Sequence, residues 1–231
     1  LAKLPHALQP LTRLQHWVNW KFVSVKGKWT KPPFNPRNTR WHAQNNAPKT
    51  WGSYEQALRA SRQGDFAEYG GIGFNLLGAD LAAFDLDKCR DPASGEIEPW
   101  ALELVARAAT YAEISPSGTG LRIIGKASPD SSKVHCYPKI PGAGHIEAYR
   151  RCERYITVTG LQIEGTPDDL ADVDALMDEL AALGGAVKDD KRRNRPRVCV
   201  AGRSPGSGCR RRIFISWRRI PPAYQKRPRP K

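Results

Sequence analysis

The stretch "LAAFDLDKC", Leu81 to Cys89, constrains the fold most: an apolar run of strand length ends on two carboxylates, Asp85 and Asp87, with one leucine between them. Strand residues i and i+2 point to the same face, so the two would project together. A carboxylate at the rim of a core costs free energy unless it is solvated, hydrogen-bonded or met by a cation. Two uses are therefore open. The pair is either a strand end held by turn amides and water, or part of the ligand set of a divalent ion.

A second D-x-D, Asp172 and Asp174, is a control on the first. "TPDDLADVDALMDELAALGG" is expected to form one helix, with Thr166 as cap, Pro167 in the first turn, and Leu170, Val173, Leu176, Met177, Leu180 and Leu183 as an apolar stripe. In a helix, side chains at i and i+2 point about 200° apart. That pair is expected on a solvated face, unable to share an ion.

Charge is unevenly spread. The chain of 231 residues has a net charge of +14, yet residues 191–231 hold 15 Lys or Arg and no acid, leaving 22 basic and 23 acidic residues in the first 190. Basicity thus belongs to the tail, and any nucleic-acid role of the body must rest on local sites. Five scattered cysteines with no C-x-x-C pair signal neither a disulfide framework nor a zinc site. No apolar run reaches the roughly 20 residues of a membrane span, and the expectation is a cytoplasmic, non-membrane protein.

The remaining pattern predicts an α/β (α+β) fold, a mixed sheet with flanking helices, over residues 1–187. "NWKFVSVKGKWTKPPFNPRNTRW" reads as a hairpin around Lys26-Gly27-Lys28 and a proline-held loop, and "SYEQALRAS" as a helix with a Ser53/Gln56 capping box. "GGIGFNLL" and "LAAFDLD" read as strands joined by Gly78-Ala79-Asp80. "PWALELVARAAT" reads as a crossover helix starting at Pro99, with Leu102, Leu104 and Val105 at helical spacing. "YAEI" and "LRIIG" are strands flanking "SPSGTG", and "HIEAY" and "RYITVTG" a further strand pair.

Glu147, in "HIEAY", would join Asp85 and Asp87 in a single Mg²⁺ or Mn²⁺ site if its strand neighbours theirs. "SPSGTGLR" offers the anion side: Ser115, Ser117, Thr119, the amides near Gly118 and Gly120, and the planar fork of Arg122, with Arg154 as a further cation. A glycine loop of this kind is also an ordinary turn. Lys28 and Lys31 either reach a nucleic acid or a phosphate or are solvated. Trp17, Trp20, Trp29 and Trp41 interleave with basic residues, as base-stacking platforms do, although core packing uses the same residues.

In order and spacing, "NWKF", "GKWTKPPFNP", "TWGSYEQA", "GIGFNL", "FDLDKC", "YAEISPSGTGLRII", "IEAY" and "RYITVTG" resemble the amino-terminal catalytic domain of phage and plasmid primase-polymerases, of the archaeo-eukaryotic primase superfamily. The resemblance runs from about residue 17 to 161. It implies a nucleotidyl transferase that makes or extends primers on single-stranded DNA from nucleoside triphosphates. It places the metal-binding acids on Asp85, Asp87 and Glu147. The family's second motif, a serine and a histidine one residue apart, falls on Gly120 and Arg122, and that departure opens the alternative of a weakened or inactive nucleotide- or single-strand-binding module. A metal nuclease using the same acids is less favoured, because no general base is evident. His135 and His145 are the nearest histidines to the missing one.

Residues 188–231 are expected to be a basic Arg/Pro-rich tail, either a disordered arm on the DNA backbone or an out-of-frame continuation from a truncated prophage replication protein. "GRSPGSGCR" in it lacks the phosphate-loop spacing and lysine, so a helicase would be a separate partner.

Overall fold

The computed structural model describes residues 4–186, all in one unit of the chain. The tail expected over 188–231 lies outside the described residues, as do Cys199 and Cys209. In chain order the elements are β1 (Trp17–Lys21), β2 (Val23–Val25), β3 (Lys28–Thr30), β4 (Pro33–Phe34), α1 (Tyr54–Ala60), α2 (Gly64–Tyr69), β5 (Gly70–Asn75), β6 (Leu81–Asp87), α3 (Pro99–Ala108), β7 (Ala112–Ile114), β8 (Leu121–Lys126), β9 (Val134–Pro138), β10 (His145–Arg150), β11 (Tyr155–Val158), α4 (Asp174–Leu183) and β12 (Gly184–Ala186). A 3-10 helix over His6–Arg13 precedes them.

Local chemistry sets several boundaries. Lys26 and Gly27 both adopt positive φ, 51° and 78°, the geometry that closes a two-residue hairpin between β2 and β3. The predicted capping box opens α1: the Gln56 amide donates to Ser53 Oγ at 3.3 Å, and the Ser53 amide to Gln56 Oε1 at 3.0 Å. Pro99 begins α3, where its missing N–H leaves no helix bond unmade.

The fold is α+β. One sheet has the order β11-β5-β1-β4, a larger one β12-β9-β10-β6-β8-β7, and β2 pairs with β3 alone. Every ladder between these strands is antiparallel, so the mixed sheet expected from a crossover is not formed. The reason is topological. Helix α3 does connect strands of the same direction, β6 and β7, but β8 inserts between them and runs opposite to both.

The period of two along β6 divides the core. Ala82, Phe84 and Leu86 pack with Ile123, Ile146 and Ala148 against α3 and α4, burying Leu104, Met177 and Leu180. Leu81 and Ala83 face the other way, with Ile124 and Tyr149, against Trp17, Ile72, Phe74, Ile156 and Val158 of the smaller sheet. Each fully buried large side chain here contributes roughly 1.5–3 kcal/mol relative to exposure. Asp85 and Asp87 continue the second face beyond its apolar part.

Two expectations are corrected. The last helix starts at Asp174 rather than after Thr166, because the Lys126 amide donates to Ala171 O at 2.7 Å and the Val173 amide to Lys126 O at 3.1 Å, which ties that segment to the end of β8. "HIEAY" and "RYITVTG" are not partners: β10 pairs with β6 and β9, β11 with β5. The two strands expected on either side of Gly78-Ala79-Asp80 are present as β5 and β6, and they enter different sheets. Leu102 is 47% exposed, the buried face of α3 being Ala101, Leu104 and Ala108. Of the tryptophans, Trp17 and Trp20 are core residues, while Trp29 and Trp41 are exposed.

Candidate active site

Strands β6 and β10 pair with His145 opposite Asp87 and Glu147 opposite Asp85. Four chemistry-bearing side chains therefore share one face of two adjacent strands. The row continues sideways: Arg122 on β8 lies opposite Asp85, and Glu113 on β7 opposite Arg122. Negative, negative, positive and negative groups stand in line across four strands.

Arg122, read from the sequence as a phosphate ligand, is 3% exposed, and its fork is occupied. Nη2 donates to Asp85 Oδ2 at 2.7 Å, and Nη1 donates to Thr157 O at 2.7 Å and also to Thr157 Oγ1. Burial opposes its charge, but Asp85 and Glu113 outweigh burial and hold the guanidinium above its ordinary value. The opposite-face neighbours on β8, Leu121 and Ile123, are core residues, so the chain has turned this cation inward against acids instead of outward to solvent.

Glu113 has no exposed surface. Its oxygens accept from the Thr159 amide at 3.0 Å, the Gly160 amide at 3.0 Å and Tyr111 Oη at 2.9 Å. Burial pushes its pKa up, against the pull of Arg122 and these donors. "YAEI" gave no sign of this role beyond one acid inside a strand.

Asp87 and His145 are exposed and Glu147 is half-buried. His145 Nδ1 lies 3.2 Å from Asp87 Oδ2, and one donor atom from each of Asp87, His145 and Glu147 lies within 4.8 Å of the others. Tyr149 Oη donates to Glu147 Oε2. Burial and then the Asp85 charge raise the Glu147 pKa, with His145 and Arg154 opposing them. Two carboxylates and an imidazole converging at this spacing fit a divalent ion. Asp85 stands beside them with one oxygen engaged by Arg122. The sequence reading missed His145 as part of this cluster, yet the signal was present: H-x-E in β10 repeats the same-face spacing of D-x-D in β6.

The glycine loop abuts the end of β6. Ser115 Oγ, Ser117 Oγ and Thr119 Oγ1 form a chain of 3.0 and 2.9 Å contacts, and Gly118 takes φ 75°. A Cβ on Gly120 would sit 2.5 Å from Leu86 O, so only glycine permits this approach to the carboxylate strand. Arg90, which the sequence did not single out, fixes the loop from the segment after β6, donating through its amide to Thr119 O at 3.0 Å and through Nη1 to Gly118 O at 2.9 Å.

Of the remaining predicted residues, Arg154 Nη2 lies 3.3 Å from His135 Nε2 on the Glu147 side of the site. Lys28 is exposed on its hairpin. Lys31 is half-buried, where a solvated loop residue was the other expectation: its carbonyl accepts from Tyr155 Oη, and its ammonium lies 5.9 Å from the Phe22 ring centre. Burial, then the charge of Arg122, lowers its pKa, while Asp85 and Asp87 act in the opposite sense. Lys31 thus lies within electrostatic reach of Asp85 and Asp87. Cys89, Cys136 and Cys152 are buried free thiols, and burial pushes Cys89 and Cys152 up to about 11.

An α+β domain with strand-rim acids from two paired strands and a glycine loop at their end is consistent with a primase-like catalytic core. The comparison with known proteins agrees: the chain is 35% identical over 173 residues to a DNA primase-polymerase of Nitratiruptor phage NrS-1. The resemblance to phage primase-polymerases thus holds across 73% of this chain, which spans about a fifth, 22%, of that relative's length. No family model matches the chain. Among the described residues, no helix is long and apolar enough to cross a membrane.

Proposed function

We propose that residues 1–187 form a nucleotidyl transferase domain that makes or extends primers on single-stranded DNA from nucleoside triphosphates in phage or plasmid replication. One observation carries the reading: the β6/β10 register sets Asp85 and Asp87 directly opposite Glu147 and His145 on a single face. Mg²⁺ or Mn²⁺ bound there would lower the barrier to attack of a primer hydroxyl on the α-phosphate and neutralise charge on the leaving pyrophosphate.

The chain's own groups would do the rest. Asp87 and Glu147 would hold the ions, with Asp85 a weaker ligand through the one oxygen that Arg122 leaves free. Arg122 holds Asp85 in place from beneath. Arg154, Lys31 and the Ser115–Gly120 loop are the groups left for the triphosphate. The exposed Trp29, Trp41 and Lys28 suit an extended template strand, by stacking and by charge. Residues 188–231 would add a basic arm with strong salt dependence. A separate helicase would open the duplex, and the work would take place in the cytoplasm.

A non-catalytic binding module is favoured by one observation, the inward burial of Arg122 at the position where the resemblance expects a histidine on nucleotide. Primer extension on single-stranded DNA with Mn²⁺ separates the two. Incorporation that is lost in Asp87→Ala and Glu147→Ala supports the transferase. Template and nucleotide binding without any incorporation supports the module.

A further inference from the structure

We propose that His145 is itself a metal ligand, with Asp87 and Glu147, and that its imidazole tilts the site toward Mn²⁺ and away from Mg²⁺. This rests on the metal-dependent reading above. That reading needs only acids.

Three features of this chain support the assignment. Strand pairing fixes His145 opposite Asp87 and two residues from Glu147, so all three leave the same face of adjacent strands. Ligands at right angles around an ion with bonds of about 2.1 Å lie about 3 Å apart, and His145 Nδ1 is 3.2 Å from Asp87 Oδ2. The third donor, from Glu147, completes a set within 4.8 Å, which a small inward adjustment of the exposed Asp87 and His145 side chains would close around one ion.

The neighbours of these groups are also arranged for it. Tyr149 Oη holds Glu147, and the Tyr137 ring lies 5.6 Å from the His145 ring, centre to centre. Asp85, the other acid of the face, has Oδ2 committed to Arg122, which weakens its claim on the same ion. Beside Asp87 and Glu147, the better-placed donor for the ion is then the His145 nitrogen. Mg²⁺ takes oxygen ligands in near-ideal octahedral geometry, whereas imidazole serves first-row transition ions, so the donor set discriminates between the two cations.

The test uses the full chain, with Mn²⁺ as probe and Mg²⁺ as competitor. Electron spin-echo modulation of bound Mn²⁺ should show coupling to an imidazole ¹⁴N in the wild type and none in His145→Ala or His145→Asp. Mn²⁺ affinity should fall by about tenfold or more in His145→Ala, as even outer-shell changes cost 10–100-fold. His145→Asp, an all-oxygen set, should narrow the preference for Mn²⁺ over Mg²⁺. His145 is half exposed, so unfolding midpoints should stay at the wild-type value in both variants. Wild-type Mn²⁺ without ¹⁴N coupling, or coupling that persists in His145→Ala, overturns the proposal. If Mn²⁺ binding nevertheless falls in Asp87→Asn and Glu147→Gln, the acid site stands without the histidine. If those variants also bind as the wild type does, the acid site falls too.

Discussion

Two buried arginines face opposite sides of the larger sheet, and each meets a carboxylate from a D-x-D pair. Arg150, 1% exposed, is closed: Nε donates to Ser132 O at 2.7 Å, Nη1 to Asp174 at 3.0 Å, and Nη2 to Ser132 Oγ at 2.8 Å and Asp178 at 2.7 Å. Its job ends with fastening α4 to β10. Arg122 meets Asp85 in the same way, but the partner acid Asp87 stands exposed beside His145 and Glu147. A saturated cation makes an anchor. A cation that satisfies one acid of a group and leaves the others open makes a site.

The comparison can be broken by removing each cation. Taking away one partner of a buried ion pair costs about 3–5 kcal/mol, so Arg122→Met and Arg150→Met should both lower the unfolding free energy by that order, read by urea denaturation. They should part in their effect on the site. Arg150 lies on the α4 face of β10, so Arg150→Met should leave Mn²⁺ affinity near the wild-type value, while Arg122→Met should change it by freeing Asp85. Equal effects on Mn²⁺ binding would erase the distinction.

Next in size is Gly120→Ala. Its methyl would press on Leu86 O, a backbone atom with little room to give, and overpacking of this kind costs about 1–3 kcal/mol. Thermal unfolding should show the loss, and primer extension should fall with it because the loop can no longer sit against β6. Full activity in that variant would remove the loop from the site.

The smallest effect concerns pH. Burial raises the Glu113 pKa, so the folded state keeps this proton longer than the unfolded chain does. Its contribution is fully present below the ordinary carboxylate value of about 4.3 and is lost as pH rises through the raised folded value. Glu113→Gln cannot lose a proton. Its stability relative to the wild type should therefore improve as pH rises through that window, in urea denaturation at a series of pH values. A constant difference would show that Glu113 titrates as an ordinary acid.

The same contrast shows what could be read without coordinates. Period-two patterning along "LAAFDLD" and the caps at Ser53 and Pro99 are local signals, and the strands and helices they predict are present. Pairing is not local. "HIEAY" followed by "RYITVTG" reads as a hairpin, yet the turn at Arg151, with φ 49°, sends the two strands into different sheets. The start of α4 was misread because a bond from Lys126, some forty-five residues earlier, holds Ala171 out of the helix. Hence Asp172 and Asp174 do not share a solvated helix face. Asp172 Oδ1 accepts from the Asp174 amide at 2.8 Å, and Asp174 carries Arg150.

At the candidate site, alternation showed that Asp85 and Asp87 share one face of their strand, while the neighbouring of the Glu147 strand stood only as a condition that the register meets. The inward turn of Arg122 was not. A glycine loop followed by an arginine suggests a phosphate ligand, and nothing local reveals that Asp85, Glu113 and Thr157 are waiting on the interior side.

The open carboxylate face is the centre of this account, and primer extension by the full chain on single-stranded DNA with Mn²⁺ tests it most directly. Wild-type protein should add nucleotides, and Asp87→Asn should lose about 10³-fold in rate, or about 4 kcal/mol of transition-state stabilisation, while its unfolding midpoint stays unchanged. Extension by Asp87→Asn at the wild-type rate would contradict the account.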